Sequence, residues 1–86
     1  MDIDQAVEIF SSRYNVRREI DKQILQLVMD GKSYEEISEI LFYEPTYIRE
    51  RVTKLARKAK LHSRYRIMAA IYSIEKGEKS ENQGTP

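Results

Sequence analysis

The run SYEEISEILFYEPTYIRERVTKLARKAK, residues 33–60, holds two helical signals separated by a stop. Ser33 followed three residues later by Glu36 is a capping box, in which hydroxyl and carboxylate satisfy backbone donors that a helix start leaves without partners. Tyr34, Ile37, Ile40 and Leu41 then recur at three- and four-residue spacing, which predicts a short helix with one inward face that stops near Leu41. Phe42-Tyr43-Glu44 leaves a tight connection, and Pro45 stands where a first helical residue tolerates proline. A second helix is predicted from Pro45 to about Lys60 on the apolar stripe Ile48, Val52, Leu55 and Ala59.

The same spacing extends in both directions. Ile3, Val7, Phe10 and Tyr14 predict an amphipathic helix over about 3–13, with Ser11, Ser12 and Asn15 as caps or breakers. Val16, Ile20, Ile24, Leu27 and Val28, with Leu25 on the flank, predict the next from Val16 to Met29, ended by Asp30-Gly31. After a break at Leu61-His62, Ser63 caps a last helix reaching Glu75 or Lys76. The fold class is therefore all-α, a four- to five-helix bundle. Residues 1–15 form an N-terminal helix or arm, 16–76 the main domain, and 77–86, which lack an apolar anchor, a disordered tail. There is no internal repeat.

Eighty-six residues hold one core of useful size. The absence of cysteine excludes disulfides, thiolate metal sites and cysteine nucleophiles, and a single histidine removes His-cluster metal sites, so neither metal nor cofactor is expected. No apolar run approaches the roughly 20 residues needed to cross a bilayer. The start of the chain lacks the basic and apolar segments of a signal peptide, so a cytoplasmic protein without membrane partners is expected. An enzyme is not expected. There is no glycine-rich phosphate loop, the adjacent Glu35 and Glu36 diverge on a helix, and His62-Ser63 lies at a helix junction without an orienting acid.

The net charge of +1 hides a segregated chain. Residues 1–43 carry −4, residues 44–66 carry +6 and residues 67–86 carry −1. A compact basic block on a near-neutral chain points to a local polyanion site. Two short helices joined by a tight turn, the second basic, are the outline of a helix-turn-helix, whose second helix enters the DNA major groove.

On a wheel turning about 100° per residue, the side of the 45–60 helix opposite its apolar stripe carries Thr46, Glu50, Thr53, Lys54 and Arg57. Arg49 lies on one shoulder, and Tyr47, Arg51 and Lys58 on the other. Arg49 is the first candidate for base reading, because a guanidinium grips guanine with two hydrogen bonds; Glu50, Thr53, Thr46 and Tyr47 are its groove-facing companions. Arg51, Lys54, Arg57, Lys58 and Ser33 are the candidates for phosphate. On the last helix, Ile67, Ala70, Ile71 and Ile74 form one stripe, and Tyr65, Met68, Ala69 and Tyr72 widen it beyond a single core face. Either a second copy of the chain or the N-terminal helix covers that extra width.

The stretch from about Arg17 to Lys76 resembles the LuxR/GerE-type DNA-binding domain. Residues 24–33, ILQLVMDGKS, look like that family's hydrophobic helix, glycine turn and cap, and residues 34–41, YEEISEIL, like its scaffold helix. Residues 47–52, YIRERV, fall on its Thr-Val-Lys-x-His-Val recognition motif, and Leu61-His62-Ser63-Arg64 with Ala69-Ala70 resembles the entry to its last helix. Residue by residue, Arg49 takes the place of the base-contacting lysine, Glu50 and Thr53 fall on groove-facing positions, and Lys54 falls on a usual asparagine.

The sequence departs from the family at several positions. Tyr47 stands for threonine, Arg51 for histidine, Glu44 for a capping serine and Lys60 for glycine, and the family's Thr-x-Arg-Glu opening is blurred to Arg18-Glu19-Ile20-Asp21. Residues 33–41 also look like sigma-factor region 4, though the helix after Ser63 favours the first resemblance. What the resemblance implies is a stand-alone, GerE-like regulator that binds double-stranded DNA as a homodimer through its last helix. The alternative expectation is a protein-interaction module, docking on RNA polymerase or another regulator with the same fold.

Overall fold

Five helices form along residues 1–77, the part of the chain that the computed structural model describes: α1 (Ile3–Arg13), α2 (Glu19–Met29), α3 (Tyr34–Leu41), α4 (Pro45–Lys58) and α5 (Arg64–Glu75). No strand occurs among the described residues. The tail expected over 77–86 lies outside them, apart from Gly77.

Each start is chemically marked where the sequence allows it. Asp2 caps α1 by accepting from the Gln5 backbone N–H at 2.8 Å, and the Gln5 side chain accepts from the Asp2 N–H. At α3 the Ser33 hydroxyl accepts from the Glu36 N–H at 3.1 Å while the Glu36 carboxylate accepts from the Ser33 N–H at 2.8 Å, completing the expected box. The bond to the Ser33 N–H holds the Glu36 carboxyl below its ordinary value. Ser63 caps α5 through the Arg66 N–H.

The ends of α1 to α4 share one device. A residue in the left-handed region reverses the chain, and the next N–H reaches back five residues to an orphaned carbonyl. The reversing residues are Asn15, Gly31, Phe42 and Lys60. The closing bonds run from Val16 to Ser11, Lys32 to Leu27, Tyr43 to Ser38 and Leu61 to Ala56, at 2.7–3.1 Å. Gly31, which adopts this conformation without steric cost, was legible as such a terminator, and Asn15 as a breaker; Phe42 and Lys60 were not. The closure at Asn15 explains why α2 begins at Glu19 and not at the expected Val16: Val16 makes the closing bond and drops its side chain into the core. In the same way Lys60 ends α4 at Lys58, short of the expected Lys60.

In the assembled fold α2 touches all four other helices, and α1 lies along α5. The core is built from Ala6, Val7 and Phe10 of α1, Ile24, Leu25 and Val28 of α2, Ile37 of α3, Ile48, Val52 and Leu55 of α4, and Ile67, Ile71 and Ile74 of α5. Leu25, expected on a flank, is fully buried because α2 is surrounded. Ile40, expected inward, is 47% exposed, and Ser38 is buried in its stead, its hydroxyl donating to the Glu35 carbonyl. α3 has backbone neighbours only in α2 and α4, so a single narrow stripe of it is covered.

Phe42 combines a φ of +64° with 91% exposure. A left-handed backbone costs a residue bearing a Cβ about 1–2 kcal/mol, and so exposed a ring returns little burial. Phe42→Gly is expected to raise stability by about 1 kcal/mol, measured as a higher urea midpoint at unchanged slope.

Candidate nucleic-acid interface

The inward stripe of α4, Ile48, Val52, Leu55, Ala56 and Ala59, is buried, so the rotation of the helix is settled and its polar side faces solvent. Thr46, Arg49, Glu50, Thr53, Lys54, Arg57 and Lys58 are all exposed there, four cations against one carboxylate. Tyr47 is only partly so. Its ring stacks on the exposed Tyr43, centroids 4.8 Å apart and planes 23° apart.

Two of the expected phosphate ligands have other partners. Arg51 turns toward α2 and grips Asp21 with two hydrogen bonds, Nε to Oδ1 at 2.9 Å and Nη2 to Oδ2 at 2.7 Å. The side chains are 16% and 5% exposed, so this is a largely enclosed fork-to-fork ion pair. Asp21 raises the Arg51 guanidinium above its usual value, chiefly through those bonds. Lys58 donates to the Asn15 carbonyl at 2.7 Å, tying the end of α4 to the α1–α2 connection. That uses one of its three ammonium protons. The Ser33 hydroxyl accepts from the Glu36 N–H in the expected capping box and keeps its own proton as a donor. Lys54 and Arg57 remain exposed with no carboxylate in ion-pair contact among the described residues.

On the opposite shoulder of α4 a cleft of about 770 Å³ opens between the starts of α3 and α5. Arg49, Thr53 and Arg57 line one side, Ser33 and Tyr34 another, and His62, Ser63 and Arg64 the third. The Arg49 guanidinium lies 5.5 Å from the Tyr34 ring centroid and that of Arg64 4.7 Å from the same ring. Arg64 also lies 5.2 Å from the Tyr65 centroid and donates to the Tyr65 hydroxyl at 3.4 Å; that bond foremost raises its guanidinium above the usual value. Neither Arg64 nor Asp21 stood out in the sequence. Arg64 follows a cap, and Asp21 is one acid among several on α2; the packing of α4 on α2 gives Asp21 its partner, and the approach of α5 to the start of α3 gives Arg64 the Tyr34 ring.

On α5 the two readings of its width are compatible. α1 covers the side of Ile67, Ile71 and Ile74, while Tyr65 at 66% and Tyr72 at 40% stay exposed together with Ala69. Met68, expected among them, is half-buried against the core. Among the described residues no group of three or more metal-ligating side chains converges, and no helix is long and apolar enough to cross a membrane.

Comparison of the chain with protein-family models, with curated proteins and with solved structures returns no match.

Removing one member of an enclosed ion pair strands the other. Asp21→Ala is therefore expected to cost about 3 kcal/mol, whereas Lys54→Ala, on open solvent, should stay within about 0.5 kcal/mol. Chemical denaturation of both variants checks the contrast; equal effects would mean that Arg51 is not the strut of α4.

Proposed function

We propose that this protein is a sequence-specific double-stranded DNA-binding regulator of transcription, with α4 as recognition helix in the major groove and α5 pairing two copies of the chain. The observation that carries this reading is the exposed cationic side of α4, whose rotation is fixed by a buried stripe and an ion pair, next to a three-residue connection from a capped helix. A groove about 12 Å wide accepts one helix and offers distinguishable donor and acceptor patterns.

The LuxR/GerE-type resemblance gains physical support from Lys60. At the position where that family carries glycine, this chain holds φ at +59°, the conformation for which glycine is suited. Base reading falls to Arg49, Glu50, Thr53 and Thr46, with Tyr47 bracing the start of the helix. In the free protein Arg49 rests over Tyr34, an interaction worth about 0.5–1 kcal/mol at an exposed site. A bidentate contact to guanine is worth about 1–3 kcal/mol in discrimination, so the side chain gains by swinging into the groove. Lys54 and Arg57 fall to the phosphates, with a spare proton of Lys58.

The exposed Phe42, at the end of a helix that also exposes Ile40, Glu36 and Glu39, favours a second reading, a protein-interaction module that presents this fold to RNA polymerase or another regulator.

Fluorescence anisotropy with random duplex DNA separates the two. The regulator reading expects affinity to fall steeply with salt, a logarithmic slope on the order of −3 for three to four neutralised phosphates; salt-independent or absent binding leaves the interaction module. On a site selected from random duplexes, Arg49→Ala is expected to cost about 1–3 kcal/mol and to relax preference at one base pair, while Lys54→Ala weakens all sequences alike. For pairing, Tyr72→Arg is expected to shift sedimentation from dimer to monomer at tens of micromolar without altering the helical spectrum.

A further inference from the structure

The cleft beside α4 contains an arginine, Arg64, that lies over two aromatic rings. The Arg64 guanidinium lies 4.7 Å from the Tyr34 centroid and 5.2 Å from that of Tyr65, and it donates to the Tyr65 hydroxyl. Cation–π contacts of this kind hold a guanidinium without neutralising it and leave N–H groups for an anion. Arg51 shows the contrast: as a strut it is matched by a carboxylate, whereas Arg64, Arg57 and Arg49 line one cleft and have no acid in ion-pair contact among the described residues. Among the described residues Glu35 is the single carboxylate on the cleft wall, and it is exposed.

Like charges gathered without counter-charge raise the energy of the free protein and lower it on anion binding. The polar groups around them, the Ser63 hydroxyl, His62 and the first turn of α5, are donors suited to phosphate oxygens. The mouth of the cleft is shared with Thr53 and Arg57, so it is continuous with the outer side of α4.

We propose that this cleft seats one backbone phosphate of the strand that borders the groove, with Arg64 from the start of α5 and Arg57 from α4 closing on its oxygens. The inference rests on the DNA-binding reading and adds to it. α5 thereby becomes part of the nucleic-acid site as well as of the pairing surface, and one register of α4 along the groove is favoured over its neighbours. Because Arg49 leaves Tyr34 to reach a base, the ring passes wholly to Arg64, and base reading and phosphate seating reinforce each other.

The test uses the full chain, in the wild type, Arg64→Gln and Lys76→Gln, the last removing the same charge at the far end of α5. Circular dichroism melts establish that all three are folded. Random duplex binding is followed against salt, and backbone amide shifts are followed during titration with inorganic phosphate. The expected result is that Arg64→Gln weakens duplex binding about five- to tenfold and reduces the salt slope by about one, that Lys76→Gln leaves both nearly unchanged, and that inorganic phosphate shifts the Ser63–Arg66 amides saturably in the wild type but not in Arg64→Gln.

Equal losses in Arg64→Gln and Lys76→Gln, or wild-type duplex affinity in Arg64→Gln, would overturn the proposal while leaving DNA binding in place. If the wild type fails to bind duplex, the DNA reading falls, and the phosphate titration decides the cleft alone. Saturable shifts lost in Arg64→Gln then uphold a phosphate site that serves a free phosphorylated ligand, and absent shifts dispose of the site too.

Discussion

The rotation of α4 about its own axis decides what this protein can do with its basic residues. Two interactions hold it. Burial of Ile48, Val52, Leu55 and Ala56 sets the inward direction to within the width of one apolar stripe. The Arg51–Asp21 fork narrows it further, because a bidentate guanidinium–carboxylate pair tolerates little turning and is anchored on α2, the helix that touches every other. Apolar packing supplies most of the stability; the ion pair supplies direction. With that rotation fixed, Thr46, Glu50, Thr53, Lys54 and Arg57 have nowhere to go but outward.

Short connections impose a second constraint, met at some cost. α3 and α4 are separated by three residues, and α1 and α2 by five. Chain reversals this tight place a residue in the left-handed region, and three of those at the ends of α1 to α4 are Asn15, Phe42 and Lys60 instead of glycine. Asparagine bears that conformation well. Phenylalanine and lysine bear it at a cost that the closing backbone bonds and the packing of the helices on either side offset. The return is a rigid offset between α3 and α4, and so a fixed presentation of the outer side of α4.

The arginines divide by their neighbours. Arg51 is neutralised by a carboxylate and acts as internal structure. Arg64 is oriented by aromatic faces and keeps its charge. This difference in environment, more than position on a helical wheel, separates a strut from a group poised for an anion. α5 likewise shows two sides. α1 covers its isoleucine stripe, and the edge of Tyr65, Ala69 and Tyr72 stays open, so the N-terminal helix and a second copy of the chain are not rivals for the same surface.

The helices themselves were legible in the residues: periodic apolar spacing marked five segments, and capping chemistry placed the starts at Ser33, Pro45 and Ser63, because both signals are local and each acts within one or two turns. The inward stripe of α4, and with it the outward placing of Thr53, Lys54 and Arg57, followed from the same periodicity. The pairing of Arg51 with Asp21, thirty residues away, did not, since wheel geometry knows nothing of the neighbouring helix. Nor did the left-handed endings at Phe42 and Lys60, which no local preference encodes, or the gathering of Arg49, Arg57 and Arg64 around one cleft. Those depend on where α2, α3 and α5 come to rest, and only the packing of the whole core determines that.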